Sequence, residues 1–370
     1  MKTTAAVLAE IGRPLEVVEL DLAPPREGEV LVRLLASGIC HSDLSLIDGA
    51  WPVPLPMVLG HEGAGVIEAV GPGVAGSRLG ERVVLTFTPP CGRCRFCLAG
   101  RVNLCTEAAA GFETGLLRDG TTRLSRGGER VYHLALVSSF ARHAVVPANA
   151  AIRVPAELDP TLSCLLGCGV LTGVMAVTAL AGVRPADSVA VFGCGGVGLS
   201  AIQGARLVSA QPIVAVDPIP AKRELALRLG ATHAVDPLAG DPAGAIRELL
   251  PGGADYVFEA IGKPAVAAQA FAATATGGVT VLIGQPPVGV KAAFPVYDLT
   301  QFEHTILGTH IGGANPTLDI PRLAALLAAG KLDLTSLVTH RFRLHDINEA
   351  IAVVASGQAG RVVVDLADGY

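Results

Sequence analysis

Residues 188–198 read Ser-Val-Ala-Val-Phe-Gly-Cys-Gly-Gly-Val-Gly, and this stretch decides the fold. A short apolar run, Ser188–Phe192, feeds straight into Gly193, Gly195, Gly196, Val197 and Gly198, which fit the G-x-G-x-x-G pattern between a strand and a helix opening at Gly198. Glycines here let the backbone turn tightly and approach a pyrophosphate, whose charge a helix N-terminus favours. Nineteen residues beyond Gly198 the next apolar run, Pro212–Val216, leads into Asp217. An acid there is placed to bond the adenosine ribose hydroxyls and to repel a 2′-phosphate, which predicts NAD rather than NADP. Lys222, five residues on, is within reach of the same ribose. The competing reading is a glycine turn in an α/β protein that binds nothing; the strand before it and the helix after it argue against that.

Working outward, Tyr256–Ile261 and Val279–Ile283 are further short apolar runs suited to strands buried on both faces, with helix-like stretches at Leu199–Val208 and Ala221–Leu229. Strands alternating with helices predict an α/β fold with a parallel, doubly wound sheet. Upstream the pattern differs. Glu29–Leu35, Gly65–Val70 and Glu81–Leu85 are Val/Leu/Ile-rich runs broken by Gly and Pro, an all-β pattern. Near the C-terminus a helix is expected over Ile320–Ala329, followed by mixed elements. The expected organisation is a β-rich domain over 1–165, a dinucleotide-binding domain over 166–309, and a return to the first domain over 310–370.

At 370 residues the chain is long enough for two cores. With 51% hydrophobic and 16% charged residues it reads as compact rather than disordered. A net charge of −5 without a basic stripe gives no footprint for nucleic acid. Met1–Glu10 lacks the apolar run of a secretory signal. Leu162–Val183 carries no charge over 22 positions, enough to span a bilayer. Its Gly, Ser, Thr and Cys content predicts a buried helix instead, because polar groups in lipid need special partners. A cytoplasmic protein with no membrane partner is the expectation.

Eight cysteines without an export signal argue against a disulfide framework. Cys91, Cys94, Cys97 and Cys105 crowd into 15 residues, and four thiolates close together suit a structural zinc. An iron–sulfur cluster also uses four cysteines, but the wide last gap and the absence of Pro after Cys105 fit that poorly. A second set is dispersed: Cys40 in Gly38-Ile-Cys-His-Ser-Asp43, expected as a loop after a strand, His61 in Gly60-His-Glu-Gly63, and Cys168 in Gly167-Cys-Gly169. Singly, each is as well explained by core packing, and spacing alone does not bring the three together.

The segments GICHSD (38–43), GHEGAGV (60–66), the four-cysteine run, LLGCGV (165–170) and FGCGGVG (192–198) occur in this order. In that order the chain resembles the zinc-containing medium-chain alcohol dehydrogenases over essentially its whole length. The resemblance implies a GroES-like catalytic domain, a Rossmann coenzyme domain and two zinc ions per subunit. Cys40, His61 and Cys168 are then the catalytic zinc ligands, and Glu62 is similar to the acid behind the metal. Asp43 resembles the carboxylate that orients the zinc histidine, and Ser42 the hydroxyl that relays the alcohol proton. His41 and Arg361 resemble contacts to the coenzyme pyrophosphate, and Thr172 a contact on the nicotinamide side. Trp51 and Phe87 fall where the family lines its substrate pocket, although core packing explains them equally well. The implied reaction is reversible hydride transfer between a primary or aromatic alcohol and NAD.

Two departures bear on mechanism and substrate. Many animal members end the proton relay with a histidine three residues after the relay hydroxyl; here that position is Ser45. Leu117–Leu124 and His41 are similar to the glutathione-dependent formaldehyde class, but Ala109 stands in place of that class's arginine and Trp51 in place of its glutathione-contacting acid. The segment Trp51–His61 instead resembles bacterial aryl-alcohol dehydrogenases. Oxidation of a formaldehyde–thiol adduct, with glutathione or mycothiol, is the alternative activity. A non-catalytic binding relative is the alternative of another class, opposed by the intact Cys40, Ser42, His61, Cys168 and Asp217. The stretch between Cys105 and Phe140 resembles the loop of dimeric members, so a homodimer is expected ahead of a tetramer. Cys164 and Cys194 are expected to be buried filler.

Overall fold

A computed structural model describes residues 1–76 and 78–367. The chain divides into two units, Met1–Cys168 with Asn315–Tyr370, and Gly169–Ala314. The breaks lie a few residues beyond the expected ones at 165/166 and 309/310.

The second unit is built on six parallel strands, in spatial order His233–Val235, Ile213–Val216, Val189–Phe192, Ala254–Glu259, Thr274–Leu282 and Thr305–Gly308. Numbered along the chain within this sheet, that is 3-2-1-4-5-6, the doubly wound dinucleotide-binding order, whose switch point lies between the first and fourth strands. Two adjacent interior strands, Val189–Phe192 and Ile213–Val216, are buried at every residue, so their apolar runs are unbroken rather than alternating. Val257, Ile246 and Ala270 join Ala190, Phe192, Val214 and Val216 of these strands in one core cluster.

In the first unit, Lys2–Leu8, Glu16–Leu22, Leu124–Arg126, Glu129–His133 and Met57–Val58 close a small barrel. A seven-stranded sheet runs in the order Ala151–Arg153, Arg82–Leu85, Glu62–Val70, Glu29–Ile39, Arg361–Asp365 and Val338–Arg343, with His143–Pro147 also paired to Glu29–Ile39. The C-terminal strand Arg361–Asp365 thus lies in the sheet of the N-terminal segment, where Val362 pairs with Ile39.

Three local readings change. The segment around His41 and Ser42 is a helix, His41–Ile47, with Cys40 as its N-cap, not a loop. The carboxylate of Asp43 accepts the N-cap amide and stabilises that helix start. The glycine-rich turn enters its helix at Gly196 rather than Gly198. Leu162–Val183 is not one helix: it is broken into Pro160–Ser163, Cys164–Gly167, Gly169–Met175 and Ala176–Ala181. Cys168 leaves helical geometry at φ −144°, ψ −81°. Among the described residues no single helix is long and apolar enough to cross a membrane.

The Leu117–Leu124 stretch has a structural anchor. The fully buried Arg123 side chain forks onto Glu29 with bonds of 2.6 and 2.9 Å and also reaches Asp119 at 2.7 Å. Such a bidentate pair fixes geometry as well as charge. Beside it, the buried His133 Nε2 accepts the amide N–H of Arg123 at 3.2 Å. Burial, and then the charge of Arg123, push this imidazole down to about 3. His133 is therefore neutral in the fold but protonates in the unfolded chain below about pH 6.5. Its contribution to stability is complete above that pH and is lost as the pH falls from 6.5 towards 3. Between pH 7 and pH 5 the wild type is expected to lose about 2 kcal/mol more unfolding free energy than His133→Gln, whose amide oxygen can still accept the Arg123 N–H. Urea titrations at the two pH values check this, and equal losses would contradict it.

Candidate active site and zinc lobe

Strand register assembles the first cluster. Gly38 pairs with Glu62 on one side and with Val363 on the other. Cys40, just past the end of its strand, therefore lies beside His61, just before the next strand begins, and beside Arg361, which opens the C-terminal strand. Gly38 cannot carry a side chain, because a Cβ would collide with the Glu62 carboxylate. Cys168 comes from the break in the helical stretch. The sulfurs of Cys40 and Cys168, a ring nitrogen of His61 and a Glu62 oxygen all lie within 4.8 Å of one another, and all four residues are buried.

Asp43 organises this cluster. Fully buried, it accepts the amide N–H of Cys40 at 3.0 Å and that of Gly60 at 3.2 Å, and its Oδ1 lies 3.2 Å from His61 Nδ1. With Nδ1–H directed at a carboxylate, Nε2 presents its lone pair to the two sulfurs, the arrangement in which histidine binds metals. Burial disfavours charge on His61, yet Asp43 and Cys40 outweigh it and raise the imidazole's pKa. The Cys168 thiol, then His61, hold Cys40 well below the ordinary thiol value, while Cys168 is raised by sharing that proton.

Glu62 and Arg361 form a direct buried ion pair. Burial pushes the Glu62 carboxyl up while Arg361 pulls against it. Arg361 stays protonated against the cost of burial because Glu62 and both sulfurs attract it. With the thiol and imidazole protons displaced by a metal, the two sulfurs, the imidazole, the carboxylates of Asp43 and Glu62 and the Arg361 guanidinium would carry a net negative charge suited to a dication. Borderline-soft N/S donors at this spacing, with the imidazole tautomer fixed, fit zinc. The Glu62–Arg361 pair was not legible in the sequence, since nothing there gives the register of the last strand.

Around the cluster, Phe87 sets its ring edge-on to His61 at 5.2 Å. Trp51 meets Phe112 edge-on at 6.5 Å. The Cys40 thiol lies 3.6 Å from the half-buried Ser42 Oγ. Ser45 turns its hydroxyl back to the His41 carbonyl at 3.3 Å. His41 is exposed at the start of its helix.

The second cluster is the lobe of Cys91, Cys94, Cys97 and Cys105, whose four sulfurs also lie within 4.8 Å of one another. Backbone amides aim at them: Cys94 N–H to Cys91 Sγ at 3.3 Å, Cys97 N–H to Cys94 Sγ at 3.5 Å, and Cys91 N–H to Cys105 Sγ at 3.3 Å. The amides of Cys97 and Thr106 hold the Cys94 thiol down to about 5. Four converging thiols, all unbridged by disulfides, with amide donors that favour thiolate, fit a closed tetrahedral zinc site.

In the other unit, the glycine turn and Asp217 directly follow the carboxyl ends of the neighbouring parallel strands Val189–Phe192 and Ile213–Val216. Gly193 turns at φ +93°, Gly195 caps the helix, and Gly196, Val197 and Gly198 form its first turn. Asp217 is buried; its Oδ2 accepts the Cys194 N–H at 2.8 Å and its Oδ1 the Ile219 N–H at 2.9 Å. Lys222 lies in the first turn of the helix that follows. Thr172 is buried in the helix Gly169–Met175. Cys164 and Cys194 are both fully buried, as filler would be.

Residues 26–156 match the alcohol dehydrogenase GroES-like domain family and residues 196–329 the zinc-binding dehydrogenase family. The chain belongs to the zinc-containing alcohol dehydrogenases. It is 42% identical to the NDMA-dependent alcohol dehydrogenase of Amycolatopsis methanolica, over 98% of this chain and 99% of that one. It is 40% identical to the S-(hydroxymethyl)glutathione dehydrogenase of a Synechocystis strain, over 98% and 100%. The crystal structure of benzyl alcohol dehydrogenase from Acinetobacter calcoaceticus superposes with a TM-score of 0.94 at 36% identity, covering 99% of both chains. Membership makes the chain an NAD(H)-dependent oxidoreductase that carries zinc.

Proposed function

We propose that this enzyme interconverts primary alcohols, benzylic ones among them, with their aldehydes, using NAD. The observation that carries the reading is the buried convergence of Cys40, His61 and Cys168, with Asp43 fixing the imidazole tautomer. These three would hold the catalytic zinc, and Cys91, Cys94, Cys97 and Cys105 the structural one. When bound, zinc supplies the Lewis acidity that eases removal of an alcohol proton, and NAD supplies the two-electron acceptor. Glu62, backed by Arg361, balances charge behind the donor set. Ser42, beside Cys40, moves the alcohol proton outward. Ser45 bonds its own helix backbone and does not extend that path as a base, so a bound coenzyme or water would have to take the proton on from Ser42. Phe87 against His61, together with Trp51, offers aromatic walls to a ring-bearing alcohol.

Coenzyme binding is assigned to the Gly193–Gly198 turn, with Asp217 and Lys222 at the adenosine ribose, His41 and Arg361 at the pyrophosphate and Thr172 on the nicotinamide side. The carboxylate of Asp217 at the strand end supports NAD over NADP. Eight free cysteines suit a reducing cytoplasm. A homodimer is supported by the sheet-edge strand Thr305–Gly308 and by exposed Val288, Val296 and Tyr297 in the segments that precede it.

Zinc-replete protein assayed with NAD and NADP in parallel, against aliphatic, allylic and benzylic alcohols, is expected to turn over benzyl alcohol with NAD. No turnover of any alcohol would overturn the reading. The similarity to S-(hydroxymethyl)glutathione dehydrogenase favours a second reading, a formaldehyde–thiol adduct as substrate. Formaldehyde oxidation that needs glutathione or mycothiol, without activity on benzyl alcohol, would replace the first reading with the second.

A further inference from the structure

Glu259 ends the strand Ala254–Glu259, opposite Phe192 in register. Those two strands flank the point where the sheet order reverses, and ligands of such sheets lie outside the carboxyl ends of the strands there. Glu259 is 1% exposed and has no part in the roles assigned so far. Its Oε1 accepts the amide N–H groups of Ile261 and Gly262, each at 2.8 Å. Burial raises this carboxyl from its ordinary range, and the amides of Gly262, Ile261, Gly284 and Lys263 pull it back. One buried carboxylate thus gathers donors from the turn after its own strand and from the end of the neighbouring strand. A buried carboxylate is costly unless fully bonded, and here backbone amides bond it rather than a cation.

The turn it holds supports the coenzyme loop. A Cβ built on Gly193 would lie 2.5 Å from Ile261 Cγ1 and 3.5 Å from the Ala260 carbonyl carbon. Gly193 therefore rests directly on Ala260–Ile261. The next residue, Cys194, is tied by its amide to Asp217 at 2.8 Å. Two carboxylates, Asp217 from one neighbouring strand and Glu259 from the other, fasten the surroundings of the same turn.

We propose that Glu259 is a positioning residue for the dinucleotide: by fastening Ala260–Gly262 it fixes the surface against which Gly193 turns and thereby sets coenzyme affinity. The proposal rests on the assignment of NAD to the Gly193–Gly198 turn. Its test is NADH binding, followed by the emission of bound NADH in the full-length, zinc-replete protein. Wild type, Glu259→Ala and Glu259→Gln are each titrated at least 15 °C below their own melting temperature. Glu259→Ala is expected to raise the Kd for NADH at least tenfold. Glu259→Gln is expected to raise it threefold or more, because its NH₂ group faces backbone donors. Should the alanine variant not fold, the glutamine variant alone decides. A purely structural role would lower the melting temperature and leave Kd within twofold of wild type, and that result overturns the proposal. Failure of the wild type itself to bind NADH would instead overturn the coenzyme assignment on which the proposal rests.

Discussion

Replacing Cys168 with alanine is expected to lower kcat/KM by at least about a thousandfold and to reduce zinc from about two ions per subunit to about one. Cys168 is one of four potential donors in the buried cluster and one of the three assigned to the zinc, and loss of a Lewis acid removes several kcal/mol of transition-state stabilisation. The fold is expected to persist. The residue sits at a break between helical pieces rather than in a strand, and the sheet and barrel that frame the cluster close without it. Circular dichroism, metal analysis and steady-state kinetics on the same sample check the three parts. A variant that kept two zinc ions and wild-type turnover would show that Cys168 is not a ligand.

The opposite pattern is expected for Cys97→Ser. The lobe Cys91–Cys105 contains one four-residue helix, Arg95–Leu98, with no buried residue, and one 3₁₀ turn in which Val102 is the buried apolar side chain, so apolar burial holds only its C-terminal end. What remains without a metal are peripheral contacts: Arg93 to Glu107, Arg118 to the Pro89 carbonyl at 3.0 Å, and the Asn149 amide to the Pro90 carbonyl. Structural zinc in small sites contributes on the order of 10 kcal/mol to folding, here applied to a local segment. A loss of about 3 kcal/mol would lower the melting temperature by roughly 6–12 °C. Proteolysis is expected to cut first within residues 91–105, with zinc again near one per subunit but with more activity retained than in Cys168→Ala. A variant as stable and as protease-resistant as wild type would contradict a structural metal in the lobe.

The parallel sheet was legible because strands buried on both faces must be apolar throughout: Ser188–Phe192 and Pro212–Val216 announce themselves, and the glycine turn between strand and helix dates the switch point. The four lobe cysteines were legible because their ligand set is local. The first cluster was not legible in the same way. Cys40, His61 and Cys168 are far apart in sequence, and only the resemblance to a family grouped them; strand register, Gly38 against Glu62, is what brings Cys40 and His61 together, as Val362 against Ile39 brings in Arg361. Register depends on which strands pair, and no local pattern records that. The same blindness hid the Glu62–Arg361 pair, and it hid Glu259, whose partners are backbone amides of any residue type. The uncharged run at 162–183 misled for a related reason. Composition shows that such a segment is buried, but not that Cys168 interrupts it to reach the site.

Two separate zinc sites are expected, one of them formed by donors from three distant parts of the chain. Diffraction from zinc-loaded crystals at the zinc absorption edge tests this directly. Two anomalous peaks per subunit are expected, one amid the four lobe sulfurs and one within bonding distance, about 2.0–2.4 Å, of Cys40 Sγ, Cys168 Sγ and His61 Nε2. A single peak in the lobe, or a second peak bonded to none of Cys40, His61 and Cys168, would contradict the account.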